Sequence, residues 1–191
     1  MLSGSWMISR VVRLIFIIAI CLTVSSWLFV HAEPPTPREH MIKAGFLYNF
    51  AKFVEWPKEV FENTTSPLII GIYGKDLFGS SFEQTINTKT VQGRGLLIKR
   101  FKTLDELTVC HILFINPSEK EHFSEIMNKL MGSHVLTVSE TERFAERGGI
   151  INFIKDGNNV RFEINLDAAE KNGLKISSRL LKLAKIIREK G

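Results

Sequence analysis

Four short apolar runs rich in β-branched residues, Leu68 to Tyr73, Leu96 to Phe101, His111 to Ile115 and Val135 to Val138, recur along this chain with helical or turn-rich stretches between them. Runs of this kind read as strands. Strands that alternate with helices imply a largely parallel sheet. The expected fold class is therefore α/β: a single domain with a largely parallel sheet flanked by helices, because a parallel sheet must be covered on both faces. The clearest connecting helix spans Glu119 to Met131. Asn116-Pro117-Ser118 precedes it, with Ser118 as the expected N-cap and Glu121 as its partner three residues on. Phe123, Ile126, Met127 and Leu130 share one side of that helix and should face the sheet.

Toward the C-terminus the pattern changes. Ile150 to Lys155 and Val160 to Ile164 flank Asp156-Gly157-Asn158-Asn159, residues that accept the positive backbone angles of a tight turn, so a β-hairpin is expected. Val160, Phe162 and Ile164 then point to the core, while Arg161, Glu163 and Asn165 point to water. A short helix is expected over Asp167 to Asn172, stopped by Gly173. A final amphipathic helix is expected over Ser177 to Glu189, with Leu180, Leu183, Ala184 and Ile187 on its apolar face.

The beginning of the chain sets the compartment. Arg10 and Arg13 precede an uncharged apolar stretch from Leu14 to Val30, and Val30-His31-Ala32 has the small residues at alternate positions that a signal peptidase reads. Residues 1–32 are expected to be a signal peptide cleaved after Ala32, giving a periplasmic protein. Residues 33–38 contain Glu-Pro-Pro-Thr-Pro and read as an extended Pro-rich tether, leaving 39–191 as the folded domain. The first helix, Glu39 to Val54, is closed by Trp56-Pro57. Its polar residues Lys43, Asn49, Lys52 and Glu55 are scattered around the wheel, so it has no wide polar face and needs cover on most sides.

With 45% hydrophobic and 24% charged residues, the composition excludes a disordered or collagen-like chain. One long apolar run excludes a polytopic membrane protein. Of two cysteines, Cys21 belongs to the leader, so Cys110 alone supports neither an intramolecular disulfide nor a zinc cage, and it reads as a buried strand residue.

Catalytic signatures are missing. Gly71, Gly74 and Gly79 bracket the end of the first strand, but their spacing fits neither the dinucleotide fingerprint nor the P-loop, and no hydroxyl residue follows Lys75. Gly93-Arg94-Gly95 reads as a turn, with Arg94 a candidate for an anion. His40, His111, His122 and His134 never take metal-ligand spacing on one element. Cys110 and His111 are neighbours that point to opposite faces of a strand. Glu163 and Asp167 form a carboxylate pair on paper, but Asp167 reads better as a helix cap and Glu163 as the partner of a nearby base. The C-terminal stretch from Lys171 carries seven basic residues against Glu189 alone. An exported protein meets no DNA, and lysines beside an apolar face commonly snorkel over it, so nucleic acid is not an expected partner.

Several blocks together resemble the YfiR family: IKAGFLYNFAKFVEWP at 42–57, CHILFI at 110–115, GGIINF at 148–153, VRFEINL at 160–166 and GLKISSRLLKLA at 173–184. The resemblance runs in order from about His40 to Arg188. It implies a small periplasmic α/β protein that is not an enzyme and needs no catalytic residue, metal or cofactor. The best-known members repress an inner-membrane diguanylate cyclase by binding its periplasmic sensor region, which lowers cyclic di-GMP and restrains biofilm formation. Such a protein meets the membrane only through its partner, and there is room for a homodimer. Disulfides found in some members have no counterpart in a chain that keeps only Cys110. Tyr48, Phe53 and Trp56 are the aromatic candidates for partner binding, with a place in the core as the alternative for the same residues, and Arg161 and Glu163 are the polar candidates. A periplasmic small-ligand sensor is the alternative. Its crevice would lie at the carboxyl ends of the parallel strands, near Gly74, Lys75, Arg94 and Asn116.

Overall fold

Apolar side chains alternating across short strands require cover on two sides, and the computed structural model, which describes residues 37–188, shows both sides filled. The sheet holds β2 (Leu68–Tyr73), β3 (Thr90–Val91), β4 (Arg94–Phe101), β5 (Ile112–Ile115), β6 (Leu136–Ser139), β7 (Ile151–Asp156), β8 (Asn159–Asn165) and β10 (Lys185–Ile187). The order across it is β10-β8-β7-β6-β5-β2-β4-β3. Its centre is parallel from β4 through β2, β5 and β6 to β7. The expected hairpin is the antiparallel pair β7 and β8, and the short β3 pairs antiparallel with β4. This is the expected α/β class.

On one face Leu68, Ile70, Ile72, Ile112, Phe114, Leu136 and Val138 pack with α1 (Pro37–Phe53), α2 (Gly79–Ile86), α4 (Leu166–Lys171) and α5 (Ser178–Leu181). Alternate residues Ile69, Tyr73, Leu113 and Ile115 pack on the other face with Phe123, Ile126 and Leu130 of α3 (Phe123–Leu130). Helix α1 is tied to the hairpin by phenylalanines: the Phe46 and Phe50 rings lie 5.3 and 5.2 Å from that of Phe162. Beyond α1, β1 (Val54–Glu55) pairs antiparallel with β9 (Lys175–Ile176), fastening the end of the helix to the C-terminal segment.

Local boundaries depart from expectation in four places. Helix α1 begins at Pro37, so the last two residues expected in the tether are helical; proline fits a first turn because N–H groups there have no intrahelical partner. The expected leader and the rest of the tether lie outside the described residues. Second, Asn116 rather than Ser118 accepts the capping bond, from the Ser118 N–H at 2.9 Å, and Pro117–His122 forms a 3₁₀ turn before α3. Third, Asn165 rather than Asp167 caps α4, accepting from the Ala168 N–H at 2.9 Å.

The fourth departure is the largest. The expected helix over Ser177 to Glu189 is one turn, α5, capped by Ser177, after which Lys185–Ile187 becomes strand β10. It pairs in parallel with β8, Ile186 opposite Ile164. The exposed edge of β8 offers unpaired backbone groups, and the β-branched pair Ile186-Ile187 suits a strand better than a helix. Leu183, expected in the core, is 67% exposed.

Candidate functional site

The carboxyl ends of β2 and β5 bring Gly74, Lys75 and Asn116 together, as expected of a strand-end crevice, and a hydrogen bond joins the last two. Asn116 is buried; its Nδ2 donates to the Lys75 carbonyl at 2.8 Å and its backbone N–H to the Tyr73 carbonyl at 3.0 Å. Glu119 packs so closely on Gly74 that a Cβ there would stand 2.6 Å from its carboxylate oxygen, and Gly74 has φ +84°. The positive φ calls for glycine at 74. Beside it, Asp76 is buried enough to raise its pKa, yet the bonds from Arg100 and from the Phe78 and Gly79 N–H groups outweigh that and hold it below the ordinary value.

Arg94 is at the opposite end of the sheet. It opens β4, which runs parallel to β2, so it lies at the amino ends of the strands. Its Nη1 donates to the Asn63 and Ser66 carbonyls at 2.8 and 2.9 Å, and its guanidinium lies 3.8 Å from the centre of the Phe61 ring. It anchors a loop and does not join the crevice.

The three aromatic candidates on and after α1 are half-buried against the core. Lys52 stands over two of them, its ammonium 5.5 Å from the Tyr48 ring centre and 5.6 Å from that of Phe53. Trp56 donates from Nε1 to the His111 carbonyl at 3.2 Å. Each therefore combines a buried side with an accessible one, the geometry of an aromatic surface anchor. Met41, at 74% exposure, and Ile42 extend the accessible apolar surface of α1. The expectation that α1 is covered on most sides does not hold at these positions.

The hairpin face expected to be wet is largely covered. Arg161 is exposed and pairs with Asp156 at 2.6 Å, but Glu163 and Asn165 are buried. Glu163 pairs with Lys185 of β10 at 2.7 Å, the nearby base expected for it, and Asp167 pairs with Arg188 at 2.7 Å. The segment after β6 folds over this face: Asn165 Nδ2 donates to the Ala145 carbonyl at 2.7 Å. Gly149 makes the fold-over possible, since a Cβ there would lie 2.1 Å from the Phe144 ring. Glu163 is thus removed from any surface patch, and Arg161 remains on it.

Two groups escaped the reading of motifs. Lys43, one of the scattered polar residues of α1, is 1% exposed and paired with Glu39 at 2.6 Å and Glu140 at 2.5 Å; Lys155 reaches Glu39 at 3.1 Å. The Glu39–Lys43 spacing of four residues was the available signal. His111 is buried, accepts the Ile69 N–H on Nδ1 at 3.0 Å and stacks on Phe61 at 4.5 Å. Burial, and then the charge of Arg94, push it down to about 4. Cys110 lies in the core, and burial pushes its thiol up to about 12, far from a reactive thiolate. Among the described residues no group of three or more His, Cys, Asp or Glu side chains is placed to hold a metal ion.

The surviving features are a bound-up strand end, three half-accessible aromatics on and after α1 and an ionic cluster around Lys43. Comparison with known protein families matches residues 40–185 to the YfiR/HmsC-like family. The match takes in most of α1, the parallel centre of the sheet and the hairpin, the same stretch whose sequence blocks resemble that family, and the chain is accordingly a member of the YfiR/HmsC-like family.

Proposed function

We propose that this chain is a non-catalytic periplasmic regulator that binds the periplasmic sensor region of an inner-membrane diguanylate cyclase and holds the cyclase inactive, lowering cyclic di-GMP and restraining biofilm formation. Family membership over residues 40–185 is the observation that carries this reading. Repression of this kind needs no chemistry. It needs tighter binding to the inactive conformation of the sensor than to the active one. The half-accessible Tyr48, Phe53 and Trp56, with Lys52 among them, supply aromatic anchors and a positive charge for such a contact, and Arg161 a second polar point.

Deleting the gene should raise cyclic di-GMP, and removing the cognate cyclase as well should abolish the rise. Replacing Tyr48 or Phe53 by alanine should weaken association with the purified sensor domain by about 2 kcal/mol. Thermal melting of each variant separates loss of contact from loss of packing. Unchanged cyclic di-GMP in a deletion strain that expresses the cyclase, with no association between the purified proteins, overturns the reading.

A further inference from the structure

A concave space of about 420 Å³ opens between α1 and α2, of a size that small organic molecules occupy, and none of Gly74, Lys75, Arg94 and Asn116 lines it. Its walls are apolar, with Ala44, Leu77, Phe82 and Ile86 prominent, and its polar groups include His40 and Lys89. Gly45 also lines it, within α1, where glycine weakens a helix relative to alanine. Packing within the chain does not require that glycine, because a Cβ at 45 would meet nothing within 4 Å. What its bare Cα does is leave room in the cavity. His40 adds a polar group without an answer: its Nε2 is shut off from solvent and has no hydrogen-bond partner. Protein structures rarely leave such an atom unsatisfied, because it has given up its bonds to water.

We propose that this cavity binds a small carboxylic acid with an apolar body. The body lies over Gly45 between the two helices, and the carboxylate accepts a hydrogen bond from the His40 Nε2–H, which the ring presents on turning toward the cavity, and faces the positive charge of Lys89. Open space over a mid-helix glycine, an unanswered buried nitrogen and a nearby cation then have one common explanation. The site is separate from the strand-end crevice, none of whose residues lines it, and it does not depend on the cyclase reading.

Calorimetric titration of the purified protein with octanoate and with 2-naphthoate, using 1-octanol as the neutral counterpart, tests this without any cyclase present. At least one acid should bind, and 1-octanol should bind roughly tenfold more weakly than octanoate if octanoate does. Gly45→Leu should weaken acid binding by roughly tenfold or more while the melting temperature holds or rises, since leucine favours helix and its Cβ meets nothing within 4 Å. His40→Phe, which keeps the ring, should weaken the acid and leave 1-octanol unchanged. Binding of neither acid, undiminished acid binding by a folded Gly45→Leu variant, or 1-octanol binding as tightly as octanoate overturns the proposal.

Discussion

An ammonium group with 1% exposure survives at position 43 because carboxylates from two directions face it, Glu39 from the preceding helical turn and Glu140 from the residue after β6. Burial alone would raise the Glu39 pKa, but the bonds from Lys43 and Lys155 outweigh it and hold that carboxyl below its ordinary value. Its contribution to stability is thus complete above its unfolded pKa and lost as pH falls through the folded one. Lys43→Met should cost about 1–3 kcal/mol at neutral pH, because it takes a charged partner from the partly buried Glu39 and Glu140 and leaves Glu39 with Lys155. The deficit should shrink in acid, where Glu39 takes up a proton and loses what Lys43 gives it. Urea unfolding of both proteins at neutral and acid pH checks this. His111 behaves oppositely in charge type but alike in sign. Its pKa is depressed from 6.5 to about 4, so between those values the unfolded chain binds a proton that the native one does not, and stability falls with pH through that window. His111→Gln should remove this dependence: between pH 7 and 4 the variant should lose about 3 kcal/mol less than the native protein.

At the scale of elements, the C-terminal segment separates a periodic pattern from the structure it adopts. Leu180 and Leu183 share a stripe on a helical wheel, but α5 ends at Leu181 and the chain turns to lay β10 on β8. Leu180 is buried and Leu183 is exposed. Leu180→Ala should therefore cost about 2–5 kcal/mol. Leu183→Ala should stay within about 0.5 kcal/mol, and chemical denaturation distinguishes this from two equal losses, which a long amphipathic helix would produce. The hairpin makes the same point on the other edge of the strand. Residue alternation in β8 places Arg161, Glu163 and Asn165 on one side, as expected, but alternation says nothing about whether that side is wet. The Phe144 segment and Lys185 cover two of the three.

For the whole molecule, export is the condition on which the proposed role depends. No helix among the described residues is long and apolar enough to cross a membrane. Arg10, Arg13, the apolar stretch from Leu14 and Val30-His31-Ala32 are expected to direct secretion and cleavage, so the periplasmic fraction should contain a chain beginning at Glu33. Mass spectrometry checks the N-terminus. An intact 21.8 kDa chain found only in membranes would show an anchor instead.

The sequence by itself determined the repeating strand-and-helix order, the parallel centre of the sheet, the hairpin and the family, because each is written in residues that are close along the chain: a strand's alternation, a turn's Asp-Gly-Asn, a block such as VRFEINL. The tertiary structure alone decided which polar residues are buried and what closes each edge. Lys43 and Glu140 meet across 97 positions, and Lys185 and Glu163 across 22. Neither pair leaves a local pattern. Whether a lysine lies in water or in the core depends on which distant carboxylate arrives beside it. Whether Ile186-Ile187 continues a helix or forms a strand depends on β8 presenting an open edge of backbone donors and acceptors at that place.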